Sequence, residues 1–318
     1  MKIIYYGTPE FAVPSLNILV ENGYDVVAVV TAPDKPAGRG QQLTFSAVKE
    51  YALSKGLKVL QPEKLKAQSF LDEVKSLQAD LQIVVAFRMM PEVLWSMPPL
   101  GTFNLHGSLL PQYRGAAPIN RAVMNGEKVT GLTTFFLQQE IDTGSIIFRD
   151  EVPIGENESA GELHDRMMQI GATLVLKTVQ QIEKGKIEAK PQSSFFNSTD
   201  DLKHAPKIFK DDCKLNFSKT IAEIHNHIRG LSPYPGAFVE FQKQDDSIFA
   251  MKIFKSEKEE AGVFLTHQLV TDGKSFLKIS GADGFINVLE AQLPGKKRMP
   301  IGDLLRGFHC EDDWRIIE

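Results

Sequence analysis

The sequence predicts an α/β fold: a Rossmann-like, twisted, mostly parallel sheet with helices on both faces, followed by a small OB-like β-barrel domain. Three observations lead there. Short β-branched or aromatic runs alternate with helical stretches to about residue 185. A polar, proline-broken segment without periodicity follows, "KPQSSFFNSTDDLKHAPK", which reads as a linker. Beyond it, short strand-like runs are separated by close turn signals. The expected organisation is a first domain over residues 1–189, a linker over 190–208 and a β domain over 209–318.

The elements follow in order. Lys2 to Tyr6 and Val26 to Thr31 are strand runs separated by the helical "VPSLNILVENG", with Gly23 as its stop,. Leu81 to Ala86 and Thr102 to Leu105 are further strands, each preceded by enough chain for a crossover helix, so ligands belong beyond the strands' carboxyl ends,. "TGLTTFFLQQEIDTGSIIFRDEVPI" reads as a hairpin around "DTG", with Asp142 in the loop and Gly144 free to take a positive φ,. Ser159 and Glu162 form a capping box, and Leu163, Met167, Ile170 and Leu174 then mark a long helix ending near Gly185,. In the β domain one helix, "KTIAEIHNHIRG", precedes the strands "AFVEF", "SIFAMKIFK", "HQLV", "SFLKIS" and "FINVLEAQ".

Composition narrows the classes. With 318 residues and 42% hydrophobic content the chain can build two cores,. A net charge of -4 gives no global pull toward nucleic acid or an acidic membrane, so such a partner must be met by local patches,. Cys213 and Cys310 fit neither a metal spacing nor a disulfide framework, which points to a reducing, cytoplasmic compartment and to no metal,. No stretch approaches the about 20 apolar residues of a membrane span, and "MKIIYYGTPEF" is too short an apolar run for a signal peptide,. "YYGTPEF" places a glycine at a strand end but lacks G-x-G-x-x-G spacing, so it is weak evidence for a dinucleotide,.

The chemistry concentrates in "FNLHGSLLPQYRGAAP", Phe103 to Pro118. In an extended segment i and i+2 share a face, so Asn104 and His106 project side by side. The hairpin loop brings a carboxylate, Asp142, within reach of that imidazole, where it would fix the tautomer and favour the imidazolium. No G-x-S-x-G elbow is present and no cysteine joins the trio, so a covalent acyl-enzyme is unsupported,.

"GTPEFAVPSL", "PDKPAGRGQ", "NLHGSLLPQYRGAAPINRAVMNG", "EIDTGSI" and "PGKKRMPIGDLL" resemble, in order and nearly end to end, the methionyl-tRNA formyltransferase family. The first half also resembles the wider group that uses 10-formyltetrahydrofolate. The resemblance implies transfer of a formyl group from N10 of that folate to the amine of methionyl-tRNA, by a monomer, through a tetrahedral intermediate and without a metal. It implies Asn104 as oxyanion donor, His106 as proton shuttle and Asp142 as its orienting partner. It implies a folate pocket lined by Phe87, Arg88, Met89 and Met90 and shaped by the turn Ser108, Leu109, Leu110 and Pro111. Arg88 stands where the family has glycine. For tRNA it implies contacts by Lys35 and Arg39 in the long loop that also carries Lys49, by Lys207 in the linker, and by Lys296, Lys297 and Arg298. Gln41, Gln42 and His204 depart from the lysines and the tyrosine of that pattern.

Two alternatives stand beside this reading. One is a folate-dependent formyltransferase acting on a small amine, which would need neither the long loop nor the β domain. The other is a non-catalytic RNA-binding module, against which the intact Asn104, His106 and Asp142 argue.

Overall fold

A computed structural model describes all residues except 38–41, 244, 263–265, 309–313 and 318. The chain divides into two compact units. The first comprises Met1–Gly115, Thr130–Val152 and His164–Ala205, and the second Ala116–Val129, Pro153–Leu163 and Pro206–Glu318. The chain therefore leaves the first unit twice before the segment 190–208 is reached.

The first unit is built on strands β1 (Lys2–Gly7), β2 (Asp25–Val30), β3 (Lys35–Ala37), β4 (Gln42–Thr44), β5 (Val59–Leu60), β6 (Leu81–Val85), β7 (Thr102–His106), β8 (Arg114–Gly115), β9 (Val129–Phe136), β10 (Ile146–Pro153) and β11 (His204–Ala205). Its helices are α1 (Val13–Glu21), α2 (Ala47–Ser54), α3 (Gln68–Ser76) and α4 (Glu92–Trp95); α5 (Pro118–Met124) falls in the second unit, and α6 spans Ala160–Glu183. The main sheet runs β10-β9-β7-β6-β1-β2-β5. Pairing is parallel from β5 to β7 and turns antiparallel at β7 to β9. The cause is visible in the strands: "IIYY", "AVV" and "LQIVV" are apolar or neutral on both faces and buried on both, as a helix-covered parallel sheet requires,. On α6, Met167, Leu174, Val175 and Val179 are fully buried, each worth about 1.5–3 kcal/mol,.

From β1 the chain winds outward through β2 to β5, then returns to place β6 on the other side of β1. The reversal leaves a crevice beyond the carboxyl ends of β1 and β6, the position where open α/β sheets bind ligands.

Two local expectations change. The loop after β2 is a short antiparallel ribbon, with Lys35 opposite Thr44 and Ala37 opposite Gln42; Arg39 and Gln41 lie outside the described residues. The loop from 137 to 145 is longer than a tight "DTG" turn, and the left-handed residue is Asp142, at φ 55, not Gly144. Asp is one of the few residues besides glycine that enter that region with any frequency. Gly144 is needed instead for close approach, since a β-carbon there would run into the Phe136 carbonyl.

The second unit carries α7 (Ile221–Gly230), opened by a Thr220/Glu223 capping box. Strands β12 (Ala237–Gln242), β13 (Ile248–Glu260), β14 (Leu269–Thr271), β15 (Leu277–Ser280), β16 (Gly284–Gln292), β17 (Met299–Pro300) and β18 (Arg315–Ile317) follow, with α8 (Ile301–Leu305) before the last. The sheet order is β14-β15-β16-β13-β12-β18, a curled antiparallel half-barrel. Curvature has a local source: β13 pairs β12 through its first half and β16 through its second, and its register slips between Ile253 and Ser256,. Phe217, Ile228, Phe241, Met251 and Val288 form part of its core. No helix among the described residues is long and apolar enough to cross a membrane.

Candidate active site

Strand β7 lies between β6 and β9, with Asn104 opposite Val84 on one side and Phe135 on the other. Asn104 is half-buried, and its amide makes no hydrogen bond to a described residue, so its N–H groups stay available. Two residues on, His106 is 7% exposed. Its Nε2 lies 2.9 Å from the Tyr113 carbonyl oxygen, so Nε2 carries the hydrogen and donates it,. Nδ1 faces Asp142, with Oδ2 at 3.8 Å. Nδ1 is therefore the ring nitrogen left without a backbone partner, and it faces the carboxylate,.

The turn that follows β7 is locked from within. Thr133 on β9 accepts from the Leu110 amide at 3.1 Å and donates to the Ser108 carbonyl at 2.7 Å. Ser108 donates to the Gln112 carbonyl at 2.6 Å. These bonds bring Tyr113 to φ 59, a left-handed backbone that turns its carbonyl to the imidazole,.

Asp142 is held by its neighbours. Oδ2 accepts from the Gly115 amide at 3.1 Å, and its own carbonyl accepts from Gln192 Nε2 at 2.8 Å. Gly115 must be glycine: φ is 124, and a β-carbon would sit 2.5 Å from the Ala205 carbonyl oxygen on the paired strand β11. Arg114 lies close enough for Asp142 and Glu140 to act on it; burial lowers its pKa, a shift that those two carboxylates only partly oppose.

The residues expected at the folate pocket follow β6 into the crevice. Phe87 is half-buried, edge-on to Tyr6 at 5.6 Å between ring centroids. Met89 is 75% exposed, whereas Met90 is buried in the core cluster with Leu94 and Tyr6. Arg88 donates to the Pro62 and Glu63 carbonyls, so its guanidinium staples the 62–63 turn. Ser108 and Leu110 are fully buried, Leu109 is half-buried, and Pro111 closes the turn. Among the described residues no cluster of His, Cys, Asp and Glu is arranged to hold a metal ion.

Of the expected tRNA contacts, Lys35, Lys207, Lys296 and Lys297 are exposed. Lys207 lies 5.5 Å from the centre of the Phe209 ring. Arg298 is committed to an ion pair with Glu290, its Nε 2.7 Å from the carboxylate. Lys49 is committed too: it lies on α2, paired with Asp34 at 2.5 Å, and that bond and one from Gln61 lower the Asp34 pKa. His204 is exposed on β11, its backbone paired with Arg114. Arg39 lies outside the described residues, as does Gln41; Gln42 enters only through its backbone in β4.

Sequence reasoning assigned no role to Tyr113, Gly115, Thr133 or Gln192. Thr133 and Gly115 sit in motifs already singled out, but no residue spacing marks a carbonyl as a histidine partner. Gln192 falls in the segment read as a linker, and nothing in its local sequence marks it.

The profile of the formyl transferase family matches residues 1–179, and that of the formyl transferase C-terminal domain matches residues 207–309. Fold and profiles give the class: a formyl-group transferase. Relatives span nearly the whole chain. The methionyl-tRNA formyltransferase of Parabacteroides distasonis is 54% identical over 97% of this chain and 96% of its own. Those of Flavobacterium johnsoniae and Bacteroides fragilis are 51% and 50% identical over 99% of this chain. The chain belongs to the methionyl-tRNA formyltransferase family. Among solved structures, an N-formyltransferase from Helicobacter canadensis, in complex with folinic acid and dTDP-3-aminofucose, superposes with a TM-score of 0.68 at 25% identity, covering 92% of this chain and 99% of that one. HypX from Aquifex aeolicus in complex with tetrahydrofolic acid shares the fold, at a TM-score of 0.62 and 15% identity over 100% of this chain and 51% of that one.

Proposed function

We propose that the protein transfers the formyl group of 10-formyltetrahydrofolate to the α-amino group of methionyl-tRNA, producing formylmethionyl-tRNA for translation initiation in the cytoplasm, and that it acts as a monomer. The observation that carries the reading is the identity of about half the residues, across both units, with relatives named for this reaction. Residues 1–189 carry the catalytic trio and the donor pocket, 190–208 lead on from them to the β domain, and 209–318 assist in holding tRNA.

The crevice residues fit a folate donor. Phe87 and the exposed Met89 offer apolar surface to a flat pterin, and the unengaged Asn104 amide stands on the neighbouring strand β7,. The donor, when bound, supplies an activated formyl carbon. Asn104 donates an N–H to the formyl oxygen as negative charge builds there; losing one such donor costs about 3–4 kcal/mol of barrier. His106 takes at Nδ1 the proton that the amine loses and delivers it to N10 as the bond between N10 and the formyl carbon breaks, with Asp142 holding the imidazole in place. An α-amino group titrates near about 8, and esterification of the carboxyl lowers that, so the nucleophile needs little activation. Lys35, Arg39, Lys207, Lys296 and Lys297 hold phosphates of the tRNA, positioning it without reading sequence.

A second reading is favoured by the Helicobacter neighbour: formylation of a nucleotide-linked amino sugar. One assay separates the two. The protein is incubated with 10-formyltetrahydrofolate labelled in the formyl group and with methionyl-tRNA, free methionine or dTDP-3-aminofucose. Label in methionyl-tRNA supports the proposal, and label only in the amino sugar replaces it with the second reading.

A further inference from the structure

We infer that Gln192 is a positioning residue for the transfer reaction, one that acts through Asp142. The inference rests on the formyl-transfer reading above. Gln192 is 3% exposed, and both ends of its side-chain amide are used. Nε2 donates to the Asp142 carbonyl at 2.8 Å and to the Gly144 carbonyl at 2.9 Å. Oε1 accepts from Arg114, from Nε at 3.0 Å and from Nη2 at 2.6 Å.

These four bonds tie the backbone of one loop to the side chain of Arg114, and the two segments meet at one carboxylate. The loop 137–145 supplies Asp142, and the short strand Arg114–Gly115 supplies the amide that Asp142 Oδ2 accepts at 3.1 Å. A single carboxamide thus sets the distance between the carboxylate and its backbone donor. Through Asp142 it also sets the 3.8 Å separation from His106 Nδ1. Asp142 sits at φ 55 in the 137–145 loop, and the Gln192 bonds hold that loop backbone at Asp142 and at Gly144.

The chemistry of the four partners admits only a carboxamide of this length. Two carbonyl oxygens require N–H donors, and a guanidinium requires an acceptor. Glutamate of the same length keeps the bonds to Arg114 and presents a carboxylate oxygen to the two carbonyls. Methionine keeps the volume and satisfies neither end.

The test is a double-mutant cycle. Gln192→Met and Gln192→Glu are assayed with labelled 10-formyltetrahydrofolate and methionyl-tRNA, alone and in the Asp142→Asn background, with thermal melting alongside. The expected result is a kcat lowered about tenfold, and no less than threefold, in each single variant, with KM for both substrates within threefold. In the Asp142→Asn background the further loss is below threefold. A smaller kcat effect, a loss carried by KM, or a loss of threefold or more recurring in the Asp142→Asn background overturns the inference. If Gln192→Met does not fold, Gln192→Glu, which retains the Arg114 bonds, carries the test. A crystal structure of the variant reads the same point without any substrate, so it separates this inference from the choice of amine. Asp142 Oδ2 is expected to leave the Gly115 amide, and an unmoved Asp142 overturns the inference even where transfer to methionyl-tRNA is confirmed.

Discussion

The Asp142 carboxylate stands 3.8 Å from Nδ1 of His106, while the opposite nitrogen of the same ring donates to the Tyr113 carbonyl at 2.9 Å. One ring nitrogen is thereby spent on orientation and the other is left for proton chemistry. The division of labour makes the consequences of substitution distinct.

His106→Ala removes the proton-active nitrogen, and a general acid or base of this kind contributes about 100-fold or more. The expected outcome is a kcat lowered by about that factor with KM for the folate little changed, measured by steady-state kinetics. Asp142→Asn keeps an acceptor for the Gly115 amide and a side chain tolerant of left-handed backbone, so the fold is expected to persist while kcat drops about tenfold or more,. Near-normal turnover in the Asn variant would assign the carboxylate to turn formation alone.

Asn104→Ala should lower kcat by about 100- to 1,000-fold if the free amide donates to the reacting oxygen. Its side chain makes no hydrogen bond to a described residue, so the melting temperature is expected to move little. A variant that loses stability in proportion to activity would point to a packing role instead.

In the basic run near the end of the chain, the ion pair with Glu290 separates Arg298 from its two neighbours. Replacing Lys296 and Lys297 by Gln is expected to weaken tRNA binding and to lower the salt-dependence slope by about 1 for each phosphate no longer neutralised. Arg298→Gln should leave that slope almost unchanged, because the guanidinium already has a carboxylate partner. Filter binding of tRNA between about 50 and 200 mM salt reads both, and equal effects from all three positions would sink the distinction.

His225 gives the second unit an acid sensitivity. It is 3% exposed, and its Nδ1 lies 3.0 Å from the Ser256 hydroxyl. Burial, helped by Arg229 and Lys258, lowers its pKa to about 4. The folded state therefore stays neutral where the unfolded chain takes up a proton. Stability is complete above pH 6.5 and falls as pH drops toward about 4, by a total on the order of 3 kcal/mol. Urea midpoints measured at pH 7 and pH 4.5 should diverge less in His225→Gln than in the wild type; an identical fall in both would assign the acid sensitivity elsewhere.

Local sequence carries the elements well. Apolar runs such as "IIYY" and "IVV" suit strands buried on both faces, and the Ser159/Glu162 pair marks the start of α6 as its hydrogen bonds require,. The Asn104 and His106 pairing was equally legible, because the period of a strand is 2 wherever the strand sits,. The ribbon over Lys35–Ala37 and Gln42–Thr44 was not. Its pairs are backbone to backbone, and glycine- and proline-rich sequence does not announce them.

By itself the sequence determined the alternation of strands and helices, the side-by-side amide and imidazole, and a resemblance that named the chemistry. These are properties of neighbours within a few residues, or of motifs whose residue types suffice. Only the tertiary structure decided which partner each polar group takes: the Tyr113 carbonyl for His106, Gly115 and Gln192 for Asp142, Glu290 for Arg298 and Asp34 for Lys49. The physical reason is that buried polar groups must be paired, and which groups are buried together depends on how distant segments meet in space. Gln192 shows it most plainly, since its bond to Asp142 spans 50 positions of chain and leaves no period, cap or motif behind.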